Sequence, residues 1–279
     1  MKESIRNIAN QLSTIYDTRE CNAIARFIVE EISGMTYTNI LVKDTKFSDV
    51  DREKTKEITK RLLAGEPLQY ILGYSYFCNL KIFVDNNVLI PRPETEELCQ
   101  LIIDRETNNS PKIIDICTGS GCIALALKNG INGATVNGVD ISDGALSVAK
   151  KNSNGCGCDV NFFKYDVLED NPKIRDKYDI IVSNPPYICH YEKANMNNNV
   201  LDNEPHLALF VNDKNPIVFY SKIAELGCSI LKSNGRVYFE INPIFYNELK
   251  EMLLEKGYQN IEIIKDINER NRFIACTKI

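Results

Sequence analysis

A chain of 279 residues with 44% hydrophobic and 25% charged side chains can bury one large core or two modest ones, and is neither disordered nor fibrous. Lys and Arg number 33 against 38 Asp and Glu, a net charge of -5, which argues against holding nucleic acid by bulk electrostatics and leaves only a local basic groove open. Residues 1–75 carry eleven basic and eleven acidic side chains, so the net negative charge lies entirely in the remainder. Ten Cys spread over this length, without a Cys-x-x-Cys pair and with only His190 and His206 as imidazoles, fit neither a disulfide scaffold nor a zinc site. They read as reduced thiols of a cytoplasmic, metal-free protein with no signal peptide and no membrane span.

The first 70 residues read as a small helical bundle. Ile5, Ile8, Leu12 and Ile15 recur at helical spacing; Asp17-Thr-Arg-Glu20 forms a capping box for a second helix that Gly34 stops; Ser48 caps a third that runs to Gly65. From Tyr76 to Ile90 short alternating stretches, with Asp85-Asn86-Asn87 as the turn, predict a β-hairpin linker. The expected organisation is therefore a helical domain over 1–75, a hairpin linker over 76–90 and an α/β domain over 91–279.

In that last part a helix over about 95–105 leads into strands at 112–117, 135–140, 160–165, 178–183, 235–241, 260–265 and 272–277. Most are continuous apolar runs, such as Ile113-Ile114-Asp115-Ile116, as in a parallel sheet covered by helices on both faces. A doubly wound α/β fold with seven strands follows. The last two strands are too close in sequence for a helical crossover, so they should form an antiparallel hairpin. The Asn-rich stretch 195–199 reads as a mobile loop.

The first strand ends in Asp115-Ile-Cys-Thr-Gly-Ser-Gly-Cys-Ile-Ala124 ahead of an Ala- and Leu-rich helix. Gly119, Gly121 and Ala124 fit G-x-G-x-x-G/A in its strand-to-helix setting, where absent side chains let ligand and helix approach the backbone. Asp140, at the end of the second strand, can accept hydrogen bonds from both ribose hydroxyls of an adenosine-containing ligand. Either NAD or S-adenosylmethionine satisfies these residues. Asp115, a carboxylate within an apolar strand, needs a polar partner in the loop or the ligand.

The strand over 178–183 runs into Asn184-Pro185-Pro186-Tyr187 at the same sheet edge. Two prolines hold the preceding residues extended and Asn184 stiffly placed. A dehydrogenase has no use for this tetrad, whereas an enzyme that methylates a planar amino or amide nitrogen does. The Asn184 side-chain carbonyl and the Pro185 main-chain carbonyl can each accept one N–H, turning the nitrogen's third direction toward a methyl donor, while Tyr187 offers a flat face.

Taken together, Asp115 to Ala124, Asp140, Ser183 to Ile188 and Pro91 to Glu97 resemble the protein-(glutamine-N5) methyltransferases of class I peptide chain release factors. Gly65-Glu-Pro-Leu-Gln-Tyr-Ile-Leu-Gly73 and Glu204-Pro-His-Leu-Ala-Leu209 are similar as well. The resemblance implies a Rossmann-like class I methyltransferase sheet behind a helical substrate-recognition domain. It implies methyl transfer from S-adenosylmethionine, with S-adenosylhomocysteine as product, to the glutamine of a release factor's Gly-Gly-Gln motif. Cys117, Thr118, Gly119, Ser120, Gly121, Asp140, Asp166, Val167 and Asn184 would hold the cofactor; Asn184, Pro185, Pro186 and Tyr187 would hold the glutamine, with Asn184, Pro185 and Tyr187 catalytic. Arg92, Glu94 and Thr95 match the family's motif beside the cofactor. The partner is a release factor, without stable nucleic acid or membrane, and nothing demands more than a monomer.

Two departures from the pattern are visible. Cys117 replaces a customary Gly, so its position should not need a positive φ, and the residue reads as a small buried side chain sooner than a reactive thiol. Glu240-Ile-Asn-Pro-Ile-Phe lacks the expected Gly-Gln, so the next helix should start differently. A nucleic-acid base methyltransferase shares the tetrad, but the acidic balance and the lack of an aromatic-interleaved basic patch count against it. An adaptor that keeps only the fold is the third reading.

Overall fold

A computed structural model describes every residue except 44, 107–109 and 170–173. The chain divides into two compact units, Met1–Leu72 and Gly73–Ile279. No helix among the described residues is long and apolar enough to cross a membrane.

The first unit is helical: α1 (Lys2–Leu12), α2 (Thr18–Ser33), α3 (Tyr37–Val42), α4 (Asp49–Leu63) and α5 (Leu68–Leu72). Asp17 caps α2 by accepting the Glu20 N–H at 2.8 Å, Gly34 ends it at φ 63°, and Ser48 caps α4 through the Asp51 N–H at 3.1 Å. Ile8, Leu12, Ala25, Ile28, Ile40 and Leu62 fill its core. Ile15 does not continue α1. The Ser13 and Thr14 hydroxyls bond back to the Asn10 and Gln11 carbonyls, the chain turns, and Ile15 is exposed.

The second unit opens with a hairpin of β1 (Tyr74–Phe77) and β2 (Leu80–Phe83). Its turn is Cys78-Asn79, not Asp85–Asn87. Both turn residues have positive φ, 46° and 63°, the pair a two-residue hairpin of type I′ requires. Asp85 instead makes its own side-chain turn, accepting the Asn87 N–H at 2.9 Å.

Next come α6 (Pro93–Arg105), β3 (Lys112–Ile116), α7 (Cys122–Gly130), β4 (Thr135–Asp140), α8 (Asp143–Cys156), β5 (Val160–Lys164) and β6 (Tyr178–Ser183). Short pieces follow: β7 (Ile188–Cys189), a 3₁₀ turn over His190–Asn195, α9 (Asn198–Asn203), α10 (His206–Leu209) and β8 (Phe210–Val211). The Asn-rich stretch is thus largely taken up in a 3₁₀ turn and a helix. The chain ends with α11 (Val218–Ile230), β9 (Leu231–Glu240), α12 (Tyr246–Glu255), β10 (Tyr258–Lys265) and β11 (Asn271–Lys278). Ahead of α12, Asn242 caps a 3₁₀ turn over Pro243–Phe245 by accepting the Ile244 N–H at 3.1 Å.

The seven-stranded sheet has the order β10-β11-β9-β6-β3-β4-β5, parallel throughout except for β11, which runs antiparallel between β9 and β10. The predicted doubly wound sheet and terminal hairpin are both present. Strand order reverses between β3 and β6, whose ends pair Ile116 with Ser183, so the loops leaving these strands open a crevice at the carboxyl edge. Four tyrosines lie fully buried in this unit with their hydroxyls bonded, Tyr258 to the Ala224 carbonyl and Tyr220 to that of Glu240. Asn152 of α8 ties the hairpin to the crevice: it pairs with both backbone groups of Phe83 and donates to the Ser120 carbonyl at 2.9 Å.

Candidate active site

The loop from β3 into α7 folds back on itself because Cys117, Gly119 and Gly121 all have positive φ, 62°, 55° and 80°. The expectation for Cys117 is therefore overturned. A β-carbon is tolerated there, but in the left-handed region that usually selects glycine. At Gly121 no side chain fits, since a β-carbon would lie 2.8 Å from the Phe162 ring. The Thr118 N–H bonds the Val139 carbonyl at 2.9 Å, fastening the loop to β4.

Asp140 fixes the same loop. Its Oδ2 accepts the Gly119 N–H and its Oδ1 the Ser142 N–H, each at 2.9 Å, which leaves lone pairs on both oxygens for a ligand. Burial raises its carboxyl above the ordinary range, and the backbone N–H groups around it pull the other way. Asp115 finds the loop partner expected of it: the Thr118 hydroxyl donates to Oδ2 at 2.5 Å. Its other oxygen is buried with no hydrogen bond of good geometry among the described residues, and desolvation raises the group to about 7 against the pull of the Thr118 hydroxyl and the Ala124 N–H. Burial and the nearby Asp140 and Asp115 carboxylates push the Cys117 thiol well up, which disfavours the nucleophilic thiolate.

A cavity of about 280 Å³ opens over this loop. Of the residues singled out in the sequence, Arg92, Thr95, Cys117, Thr118, Gly119, Ser120, Asp140, Asp166, Val167, Asn184 and Pro186 line it. Gly121 stands behind the wall, and Pro185 lines neither this cavity nor its neighbour. Ile141 and Leu168, large apolar side chains that are nonetheless exposed, also face the cavity. Carboxylates for hydroxyl groups, backbone approach at Gly119 and apolar walls for a flat base suit an adenosine-bearing cofactor.

A second cavity of about 340 Å³ adjoins the first. Tyr187, Ile188, Asn195, Met196 and Asn197 line it, and Leu89, Arg92, Asn184 and Ala208 line both. Asn184 thus stands on the wall the two spaces share. The Tyr187 hydroxyl is held far above its usual range by burial and by Glu240, so it stays protonated.

Two residues of the site, Glu240 and Glu204, were not assigned from the sequence, and Thr95 was matched only to the family's motif beside the cofactor. Thr95, in the first turn of α6, receives the Asn184 Nδ2–H at 3.2 Å and donates its hydroxyl to Glu240 Oε2 at 2.6 Å. Glu240, fully buried at the end of β9, accepts the Tyr187 hydroxyl on its other oxygen at 3.2 Å. Glu204, equally buried, holds Arg92 at 2.6 Å and accepts the Ile90 N–H at 3.1 Å, pinning the segment that borders both cavities. Glu94 lines neither cavity. Glu240 and Glu204 do stand in stretches the sequence marks, but nothing local tells that their carboxylates turn inward.

The sheet order, the glycine loop and the two adjoining cavities define a class, the Rossmann-like methyltransferases, and residues 95–209 match the methyltransferase small domain. Residues 3–73 match the PrmC N-terminal domain. The release factor glutamine methyltransferase of Bacteroides thetaiotaomicron is 40% identical over 272 residues, covering 97% of this chain and 98% of that protein. That of Flavobacterium psychrophilum is 38% identical over 94% of each chain. The crystal structure of a methyltransferase from Pyrococcus furiosus shares the fold, with a TM-score of 0.56 at 17% identity, covering 80% of this chain and 98% of that one. The chain belongs to the release factor glutamine methyltransferase family.

Proposed function

We propose that the protein transfers a methyl group from S-adenosylmethionine to the side-chain amide nitrogen of the glutamine in the Gly-Gly-Gln motif of class I peptide chain release factors, a modification supporting translation termination. The observation that carries this reading is the position of Asn184, on the wall between the cavity over the glycine loop and a second cavity beside it. Cys117 to Gly121, Asp140, Asp166 and Val167 hold the cofactor, which when bound supplies an electrophilic methyl group on a sulfonium centre.

The remaining chemistry is the protein's. An amide nitrogen is barely basic because its lone pair is delocalised, so it reacts only when it is oriented and its developing positive charge is stabilised. Asn184 Oδ1 and the Pro185 carbonyl each accept one amide N–H, Pro186 keeps that backbone rigid, and the Tyr187 ring packs against the amide plane. The nitrogen sheds its proton to water after transfer, so no general base is needed. Residues 1–75 recognise the body of the factor, a near-neutral surface suited to a protein partner; 76–90 link them to the catalytic part, 91–279. In this reading the enzyme is a cytoplasmic monomer that holds no stable nucleic acid.

Incubation with labelled S-adenosylmethionine and a release factor tests the proposal. Label enters the factor and is lost when its Gly-Gly-Gln glutamine is changed to Ala. Label that persists in that variant, or that enters RNA or DNA and not protein, overturns it.

A further inference from the structure

We propose that Glu240, acting through the Thr95 hydroxyl, sets which end of the Asn184 amide faces the reacting nitrogen, and is thereby a positioning residue for methyl transfer. The inference rests on the function proposed above and adds to it a reason why Asn184 presents an acceptor.

The two ends of an Asn side chain are nearly equal in size and opposite in hydrogen-bonding sense. Oδ1 toward the substrate accepts an amide N–H; a flip through 180° presents an NH₂ group, which repels it. Packing distinguishes the two poorly, so a polar partner must choose. Thr95 Oγ1 is that partner, and it has one proton to give. As long as the proton goes to Glu240, only lone pairs face Asn184, and the amide must turn its NH₂ inward and its oxygen toward the site. A threonine free of Glu240 could donate to Asn184 Oδ1 and hold the flipped form equally well.

Glu240 is built to take that proton. Its ionised carboxylate has acceptors only, one oxygen receiving Thr95 at 2.6 Å and the other the Tyr187 hydroxyl at 3.2 Å. No Lys or Arg among the described residues forms an ion pair with it, because the nearby Arg272 is engaged by Asp266 at 3.2 Å. Burial works against the charge, while the two hydroxyls and Arg272 support it. The strand is fixed beneath it too, since the Tyr220 hydroxyl bonds the Glu240 main-chain carbonyl at 3.0 Å. The chain Tyr187–Glu240–Thr95–Asn184 therefore has one consistent direction of donation, and both ends of it reach the tetrad.

The test uses the whole enzyme with a release factor, and compares Thr95→Val, Glu240→Gln and Thr95→Ser. Thr95→Val keeps the shape without the hydroxyl, and Glu240→Gln keeps the shape but can donate to Thr95 and reverse the chain. Each should lower kcat by roughly 100-fold while KM for the factor and the S-adenosylmethionine Kd stay within about threefold. Thr95→Ser, which restores a hydroxyl, should return most of the lost turnover. The inference is overturned by full turnover in Thr95→Val, by a Thr95→Ser enzyme as slow as Thr95→Val, or by cofactor affinity falling in parallel with kcat. A wild-type enzyme that transfers no label to the factor would remove the parent reading and this one with it. Wild-type transfer that Thr95→Val leaves intact removes this inference alone.

Discussion

Helix α6 is fastened to strand β9 at both ends, and the two fastenings differ in kind. At the amino edge of the sheet Glu106, just past the last turn of α6, accepts the Tyr238 hydroxyl at 2.8 Å and forms an ion pair with Arg236. At the carboxyl edge Thr95, in the first turn, bonds Glu240, which also accepts a tyrosine hydroxyl. Tyr238 and Glu240 are two residues apart on β9 and so share a face. Both glutamates are almost wholly buried, but among the described residues Glu106 is directly ion-paired with Arg236, whereas Glu240 has only the field of Arg272, which pairs with Asp266. A carboxylate that merely joins two elements is best paired with a cation. One hydrogen-bonded by hydroxyls, with no cation in contact, costs more to keep charged, and it is found where its hydrogen-bond direction is passed on to the tetrad.

If the two ends divide their work in this way, variants at them should separate rate from stability. The largest effect belongs to Asn184→Ala, which removes the acceptor that the carboxyl-edge chain orients. Turnover should fall by about three orders of magnitude, about 4 kcal/mol of barrier, with S-adenosylmethionine affinity nearly intact by calorimetry. Equal loss of both would mean that Asn184 shapes the pocket and does not act on the substrate. Arg236→Met is the counterpart at the amino edge. It leaves Glu106 buried and unpaired, and should cost about 3 kcal/mol in urea unfolding, less than a fully enclosed pair because Arg236 is partly exposed. Turnover per folded molecule should not change, and the loss should shrink as pH falls, because burial raises the Glu106 carboxyl and protonation relieves its unpaired charge.

What was legible in the sequence follows the same division. The glycine loop, Asp140 and the Asn184–Tyr187 tetrad are contiguous or strand-terminal signals, and a strand end exposes its following residues to the crevice whatever the rest of the chain does. The Thr95–Glu240 bond spans 145 positions and depends on how α6 lies across β9, which no local spacing encodes. The hairpin turn was misplaced for a related reason. Asp85-Asn86-Asn87 carries stronger turn residues than Cys78-Asn79, but register and the packing of Ile82 and Val84 put the reversal earlier.

Asp115 sharpens the comparison as a third buried carboxyl with a single hydroxyl partner. Its folded value, about 7, lies well above the value near 4 of an unfolded aspartate, so the native state holds the proton more tightly. Its contribution to stability is then full below pH 4 and is lost as pH rises toward and through 7. Asp115→Asn does not titrate. Relative to wild type it should gain roughly 3 kcal/mol of stability between pH 4 and 7 and level off above, while the new amide N–H groups displace the whole curve by an amount independent of pH. Chemical denaturation of both proteins from pH 5 to pH 8 measures the difference, and parallel curves would show that Asp115 is already ionised in the native state.

The smallest effect concerns Cys117, where the backbone favours glycine and the chain carries a thiol. The left-handed conformation costs a residue with a β-carbon about 1 kcal/mol, which Cys117→Gly would remove. Glycine also loosens the unfolded chain and gives up the contacts Cys117 makes with the core, so the two should nearly cancel and leave stability within about 1 kcal/mol of wild type. Cys117→Val cannot profit from the first term and adds a branched β-carbon in a disfavoured region, so it should lose about 2 kcal/mol in the same urea titration. With its thiol held protonated by burial and two carboxylates, Cys117 should resist alkylation at neutral pH while the exposed Cys228 reacts, as peptide mass mapping would show. Rapid alkylation of Cys117 would instead mean that the loop opens readily, and that its left-handed turn is held by something other than the Asp140 and Val139 hydrogen bonds.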